Sequence, residues 1–385
     1  MTKPRIGIVV TELGIPSEVW ILRQCQDFTQ IEPVILCWKI REGFTPPAGL
    51  EVRQFAMSFE DRPSLWRRAA RRLGMRWAAL PNAARRRDIA ATVAAARLDG
   101  ILCHFAWSGL AISAALKGSL PIVWQVHGRD VSAKLREPAY RGAVARALPG
   151  VDHLVAVGKF QIGLLEPLGL GPNRSVIPCG APLALFAANP APRRAPGQAL
   201  RFISVGRISA EKGVLQTLDA FEQVAARQPD VELVFIGDGP LKEALAEAVA
   251  KSPAADRIRL LGVAPPAAVA AELSAAHVFL QHSRCVNGWV EGFGVALTEA
   301  GASGLPLVAS RLGGILDQVV HEENGLLFDV DDVETQAEHM LRLANDEPLR
   351  RAMGETARTT AARFDSGLMT RQLESVLTAV VGRRS

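Results

Sequence analysis

The stretch Ile203-Ser-Val-Gly-Arg207-Ile-Ser-Ala-Glu-Lys212-Gly213 decides the fold: an apolar, β-branched run ends in glycine, crosses one cation and meets a second where a helical period begins. A strand that turns directly into a helix is half of a β-α-β unit, so the segments on either side should repeat it. They do. Upstream, short apolar runs fall at 5–10, 33–38, 100–104, 121–126, 153–157 and 175–178. Beyond the strand at 200–205 they return at 231–236, 257–261, 277–281, 306–309 and 325–328, and helical periods close the chain at 333–345, 348–363 and 366–381. This alternation predicts an α/β protein with parallel sheets covered by helices on both faces. Between the two series lies 178–198, holding Pro178, Pro182, Pro190, Pro192 and Pro196, the most linker-like segment of the chain. The expectation is two Rossmann-like, doubly wound domains facing across a cleft, 1–180 and 181–364, with a terminal helix at 365–385 packing back on the first. Ligands in such domains bind beyond the carboxyl ends of the strands.

A length of 385 residues suits two domains, and 49% hydrophobic residues suffice for two cores. No apolar run approaches the ~18 residues that span a bilayer. The opening Met1-Thr-Lys-Pro-Arg-Ile-Gly-Ile-Val-Val10 has too short an apolar stretch for a signal sequence and reads as a first strand, so a cytoplasmic protein is expected. Cys25, Cys37, Cys103, Cys179 and Cys285 are odd in number and form no Cys-x-x-Cys pair, which argues against a disulfide framework or a zinc site.

Charge is uneven: residues 1–190 hold 24 Lys and Arg against 14 Asp and Glu, and the remainder 20 against 25. Arg62, Arg67, Arg68, Arg71, Arg72, Arg76, Arg85, Arg86 and Arg87 crowd one segment that contains no acid. Within it Leu65, Trp66, Ala69, Leu73, Trp77 and Leu80 recur at three or four residue steps, predicting one basic amphipathic helix with tryptophans on its apolar side. Such a helix can lie on an anionic membrane, with Arg67, Arg68, Arg71 and Arg72 toward the headgroups, or pack on its own domain as an ordinary surface helix. Nucleic acid is not expected, since no binding motif accompanies the arginines.

Glu291-Gly-Phe-Gly-Val-Ala-Leu-Thr-Glu299 carries the clearest chemistry. Two carboxylates bracket the start of a helix, and Gly292 and Gly294 let a ligand approach the backbone. Unpaired N–H groups at a helix start suit a phosphate, and about 12 Å of reach lets the two acids hold hydroxyls on either side of a diphosphate. A sugar nucleotide has that layout; the plain alternative is a solvated helix residue and a loop acid. Arg207 and Lys212 would neutralise the diphosphate, guanidinium as a fork and ammonium as a compact charge. Three weaker signals are discounted. Gly237-Asp-Gly239 lacks the third glycine of a dinucleotide fingerprint and reads as a tight turn. Asp329-Val-Asp331 precedes a helical period, so Asp331 is expected as a helix cap rather than a metal ligand. No Gly-x-Ser-x-Gly elbow exists.

Gly206-Arg-x-x-x-x-Lys-Gly213, Phe235-Ile-Gly-Asp-Gly-Pro240, the Glu-x7-Glu helix and Asn324-Gly-Leu-Leu-Phe328 occur in the order and at about the spacings of retaining glycosyltransferase family 4, and over nearly the whole chain the sequence resembles these GT-B enzymes. Pro16-Ser17-Glu18, Cys103-His104-Phe105 and Val126-His127-Gly128-Arg-Asp130 resemble the branch that builds bacterial exopolysaccharide and lipid-linked oligosaccharides. The resemblance implies that Glu291 holds donor-sugar hydroxyls and Glu299 the ribose. It puts the amides around Gly292, Phe293, Gly294 and Val295 on sugar and phosphate, with Arg207 and Lys212 on the diphosphate. His127 would line donor sugar and acceptor, Asp130 would orient its loop, Gly14 would close over phosphates, and Gly262 and Val263 would read the base. His104 is weaker, with a structural role the plainer reading. Two departures stand out: Ala181-Pro182 where the family commonly has valine and aspartate, and Gly294 in place of a frequent proline.

The expected activity is retaining transfer of a sugar from a nucleoside-diphosphate sugar to an acceptor hydroxyl on a glycan or lipid-linked glycan, with no metal and no cofactor beyond the donor. A sugar-nucleotide epimerase of the same fold and a non-catalytic sugar-binding subunit of a polysaccharide assembly complex are the alternatives.

Overall fold

The computed structural model describes residues 3–15, 18–59, 65–187 and 197–383, and only the backbone of Leu65, Arg67 and Arg76. Pro16, Ser17, Arg62, Pro190, Pro192 and Pro196, named above, lie outside the described residues. The chain divides into two compact units, Met1–Cys179 with Gly367–Ser385, and Gly180–Ser366.

In the first unit, among the described residues, seven parallel strands form one sheet: β1 (Arg5–Leu13), β2 (Glu32–Ile40), β3 (Glu51–Gln54), β4 (Gly100–His104), β5 (Ile122–Val126), β6 (His153–Ala156) and β7 (Arg174–Val176), in the order β3-β2-β1-β4-β5-β6-β7. The order reverses between β1 and β4, where Ile6 lies opposite Gly100 and Val9 opposite Cys103. The strands are apolar on both faces because both are covered. Val9, Ile101, Cys103, Trp124 and Val126 pack with the helices Ala83–Ala96 and Ala106–Leu116. Ile6, Ile8, Val10, Leu102 and Val123 face the helix Val19–Asp27 and the helix Ser366–Gly382, which contributes Met369, Leu373, Leu377 and Val380. Each such side chain contributes about 1.5–3 kcal/mol by leaving water. Buried Glu374 fixes the returning helix, accepting from the backbone N–H of Thr29 (2.7 Å), Gln30 and Ile31 (3.1 Å).

The second unit holds β8 (Leu200–Val205), β9 (Val231–Ile236), β10 (Ile258–Leu260), β11 (Val278–Gln281), β12 (Leu307–Ser310) and β13 (Gly325–Phe328), all parallel, in the order β10-β9-β8-β11-β12-β13. Numbered within the unit this is 3-2-1-4-5-6, the doubly wound order whose switch point lies between the first and fourth strands, here β8 and β11. Phe202, Leu233, Leu280 and Phe328 fill one face of the sheet, and Ile203, Val234, Phe279 and Leu327 the other.

Two expectations are corrected. The arginine-rich segment is not one helix. It forms a helix at Leu65–Arg72, turns at Gly74 (φ +73°) and resumes as a 3-10 turn at Arg76–Ala79, because a left-handed residue cannot continue an α-helix. Asp331 is not the cap of the helix Val333–Asn345; Asp332 is, accepting from Thr335 N–H at 2.9 Å, while Asp331 (φ +68°) pairs with Arg284. No described helix is long and apolar enough to cross a membrane.

Candidate active site

The second unit gathers its chemistry at the carboxyl ends of β8 and β11. Beyond β8 the chain runs through Gly206 and Arg207 to a 3-10 turn, Ala210–Lys212, and Gly213 (φ +56°) starts the helix Val214–Ala225. A Cβ on Gly213 would lie 2.0 Å from the carbonyl oxygen of His282, so this turn can sit against the end of β11 only as glycine. That contact brings Lys212 onto Glu291, 79 positions away: the ammonium pairs with Oε2, which also accepts from Gln281 Nε2 (3.0 Å) and Ser283 Oγ (2.9 Å). The Lys212 ammonium stands 5.5 Å from the Trp289 ring centroid, an additional cation–π contact. Ser283 is itself fixed, its carbonyl accepting from Ser310 Oγ at 2.7 Å. Arg207 is exposed and has no ion pair among the described residues.

The loop carrying Glu291 is clamped by backbone. Gly314 N–H donates to the Glu291 carbonyl at 2.9 Å, and a Cβ on Gly313 or Gly314 would fall 2.3 Å from the carbonyl oxygen of Glu291 or 2.2 Å from that of Gly292. Gln318 holds the far side, bonding the Phe293 carbonyl through Nε2 and Thr298 Oγ1 (2.6 Å) through Oε1. Phe293 packs edge-on against Phe364. The helix Val295–Ala302 begins after Gly294 (φ +85°) with no side-chain cap, which suits its first amides to an anion. Val295 and half-buried Glu299 share one face of it at i, i+4.

Gly237 and Gly239 are more than a turn. Added Cβ atoms would meet the carbonyl oxygens of Gly206 at 1.8 Å and Ile208 at 2.4 Å, so the glycines let the β9 loop lie against the β8 loop. Gly262 joins through its carbonyl, which accepts from Gly237 N–H at 2.8 Å, and Val263 beside it is 76% exposed. Asn324 braces β13 by donating to the Gln318 carbonyl at 2.8 Å.

In the first unit His127 follows β5. Its backbone N–H donates to Asp130 Oδ1 (3.0 Å), and Asp130 Oδ2 accepts from Ala106 N–H (2.9 Å) at the start of the next-door helix. Burial pushes the Asp130 carboxyl up to about 6, against the pull of these backbone donors. The His127 ring is enclosed by Trp20 (4.9 Å between centroids) and Phe105 (4.5 Å), with His104 Nδ1 3.3 Å from its Nε2. Burial pushes His104 down to about 3 and holds His127 well below its ordinary value, so both rings are neutral at physiological pH. Gly14 (φ +94°) lies against Phe44, whose Cγ a Cβ would meet at 2.4 Å.

The segment 65–80 divides its apolar residues between solvent and its own core: Trp66 is 85% exposed, Leu73 74% and Trp77 57%, while Ala70 and Ala78 are buried and Ala79 and Leu80 pack against the core of the first unit beside the helix Pro138–Ala147. Arg71 Nε donates to the Ala78 carbonyl at 2.9 Å, and Arg72 is exposed.

The structure thus places Arg207, Lys212, Glu291, Gly292, Phe293, Gly294, Val295, Glu299, Gly262 and Val263 on the second unit and His127, Asp130 and Gly14 on the first. Residues not foreseen are Gln281, Ser283, Trp289, Gly313, Gly314 and Gln318. Three had a visible signal: Gln281 is a polar side chain ending an apolar parallel strand, and Gly313-Gly314 is a paired glycine.

Two doubly wound units, one carrying a carboxylate, a lysine and an uncapped helix start at its switch point, define an α/β protein of the GT-B class. Residues 44–185 match the family described as Glycosyltransferase Family 4, and residues 187–360 match Glycosyl transferases group 1. Each of the two units thus matches a glycosyltransferase family. It is 26% identical over 291 residues to the putative colanic acid biosynthesis glycosyltransferase WcaL of Salmonella typhimurium, covering 73% of this chain and 71% of that one. It is also 26% identical over 290 residues to a GDP-mannose-dependent monoacylated alpha-(1-6)-phosphatidylinositol monomannoside mannosyltransferase of Corynebacterium glutamicum, covering 70% and 75%. The fold is shared with Anabaena HepE, whose crystal structure contains UDP and glucose: TM-score 0.73 at 18% identity, covering 98% of this chain and 100% of that one.

Proposed function

We propose that this protein is a retaining glycosyltransferase that moves a sugar from a nucleoside diphosphate to an acceptor hydroxyl. The observation that carries the reading is the Lys212–Glu291 pair at the β8/β11 switch point, beside the uncapped helix start at Gly294. Arg207, Lys212 and that helix take up the charge of the departing diphosphate, which is where electrostatic stabilisation counts most. Glu291 holds hydroxyls of the donor sugar and Glu299 those of the ribose. Amides from Gly292 to Val295 meet sugar and phosphate, Gly262 and Val263 meet the base, and Gly14 the phosphates. His127 lines sugar and acceptor, with Asp130 holding its loop. Glu291 is a poor nucleophile because its Oε2 already accepts from Lys212, Gln281 and Ser283. The acceptor hydroxyl therefore attacks the anomeric carbon from the face the diphosphate leaves, and its proton passes to a phosphate oxygen of the leaving group. Neither a metal nor a further cofactor takes part.

The names of the relatives, colanic acid biosynthesis and phosphatidylinositol mannoside synthesis, support a glycan or lipid-linked glycan as acceptor, in bacterial polysaccharide assembly at the cytoplasmic face of the membrane. Exposed Trp66, Leu73 and Trp77 among Arg68, Arg71 and Arg72 support docking on anionic lipid, with Arg67 in the same helix. Flotation with anionic vesicles should be lost in a Trp66→Ser/Trp77→Ser variant; equal binding to neutral vesicles would remove the idea. For the reaction, a panel of sugar nucleotides is incubated with and without acceptor extracts. Transfer to acceptor with the anomeric configuration kept supports the reading, whereas conversion of donor alone to an isomeric sugar nucleotide replaces it with the epimerase.

A further inference from the structure

Three groups of the first unit lie in a row that the transfer reaction does not explain: His104 Nδ1 is 3.3 Å from His127 Nε2, and His127 Nδ1 is 3.8 Å from Cys179 Sγ. His104 ends β4 and His127 follows β5, and both rings lie against Trp20. The residue between His104 and the helix Ala106–Leu116 is Phe105, a non-glycine residue at φ +69°. Strained backbone of this kind persists only where its surroundings impose it. Here it lets His104 reach one side of His127 while the Phe105 ring packs on the face.

The proton count along the row has two solutions for neutral rings. If His127 donates from Nε2 to His104, then His104 carries its proton on Nε2, a fully buried atom with no partner among the described residues. An orphaned buried N–H is among the rarer and costlier defects of a folded chain. In the other solution His104 donates from Nδ1 to His127 Nε2, and His127 donates from Nδ1 to the Cys179 sulfur, which is held as a neutral thiol by burial. Only a lone pair is then left over. We infer that His104 is a positioning residue that fixes His127 as the Nδ1–H tautomer: the Nε2 lone pair is tied up, so His127 does not act as a base, and its Nδ1–H, held only by the weak Cys179 acceptor, is the group that turns to a substrate oxygen. The inference rests on the assignment of His127 to the donor sugar and acceptor in the proposed reaction.

The test separates the two. Imidazole 15N-labelled protein is examined by long-range 1H–15N correlation, with His127→Gln assigning the signals. The wild type should show His127 protonated on Nδ1 and not on Nε2 between pH 6.5 and 8. In His104→Asn, whose amide N–H replaces Nδ1–H, the tautomer and the transfer rate should be kept. In His104→Leu the His127 signals should move to the Nε2–H form, and kcat should fall by about tenfold, the scale of one hydrogen bond, with KM for the donor little changed. An Nε2–H tautomer in the wild type overturns the inference, as does a His104→Leu variant with wild-type signals and kcat. Absence of transfer by wild-type protein with the expected tautomer present overturns the function alone.

Discussion

Replacing Lys212 by Met keeps most of the side-chain volume and removes the charge, leaving the buried Glu291 carboxylate without its cation. Stranding one member of a buried pair costs ~3–5 kcal/mol where nothing else compensates. Two features reduce that figure here: the Lys212 side chain is 24% exposed, and Gln281 at 3.0 Å and Ser283 at 2.9 Å still donate to the same oxygen. A loss of about 1–2 kcal/mol is expected. For a unit of this size that lowers the melting midpoint by roughly 2–8 °C. Adding Glu291→Gln removes the stranded charge and should restore most of the midpoint. Activity should not follow: under the proposed function both single variants and the double lose a diphosphate or sugar contact and should drop at least about 100-fold in kcat. Calorimetry of the four proteins closes a double-mutant cycle on stability, and transfer assays close one on rate. A Lys212→Met protein that melts like wild type, or a double variant as unstable as the sum of the singles, refutes the coupling of this pair.

Gly213→Ala should lose about 2–4 kcal/mol, because the new Cβ meets the His282 carbonyl oxygen at 2.0 Å in a left-handed position; urea titration measures it. Arg207→Ala should fold with an unchanged midpoint, since the side chain is exposed, yet slow transfer by about 100-fold or more. Near-normal turnover would remove Arg207 from the diphosphate. The histidines give a pH dependence with a definite sign. With His104 at about 3 in the folded state against an ordinary 6.5, the unfolded chain binds more protons between those values, so stability falls as the pH drops through that window. Asp130 at about 6 against 3.8 works the other way, since the folded state holds the extra proton and its share of stability is lost as pH rises toward 6. Urea midpoints from pH 4.5 to 7.5 should flatten in His104→Asn and steepen in Asp130→Asn.

Nearly every strand was legible because a parallel sheet buried on both faces writes itself as a continuous apolar run. The exception is β3, Glu-Val-Arg-Gln at an edge, with one apolar residue and no core of its own to signal it. The break at Gly74 was overridden by a helical spacing of apolar residues that persists across it. Asp332 rather than Asp331 caps its helix by a one-residue shift that adjacent aspartates conceal. In the site, the glutamates and cations could be named, but their pairing could not, because Lys212 and Glu291 meet only through the three-dimensional closeness of β8 and β11. Gly213, which permits that meeting, showed in the sequence only as the end of a motif.

The return of the helix Ser366–Gly382 to the first unit sets an order on synthesis. Residues 180–366 can complete their own sheet as they leave the ribosome, whereas one face of the sheet of β1 to β7, partly covered by the helix Val19–Asp27, waits to be closed by Met369, Leu373, Leu377 and Val380. Thr29, Gln30 and Ile31 likewise keep unpaired N–H groups until Glu374 is made, 343 to 345 positions later. The unit whose strands are translated first is therefore the one that finishes last, and a stop codon in place of Ser366 would injure the first unit while sparing the one beside it in sequence.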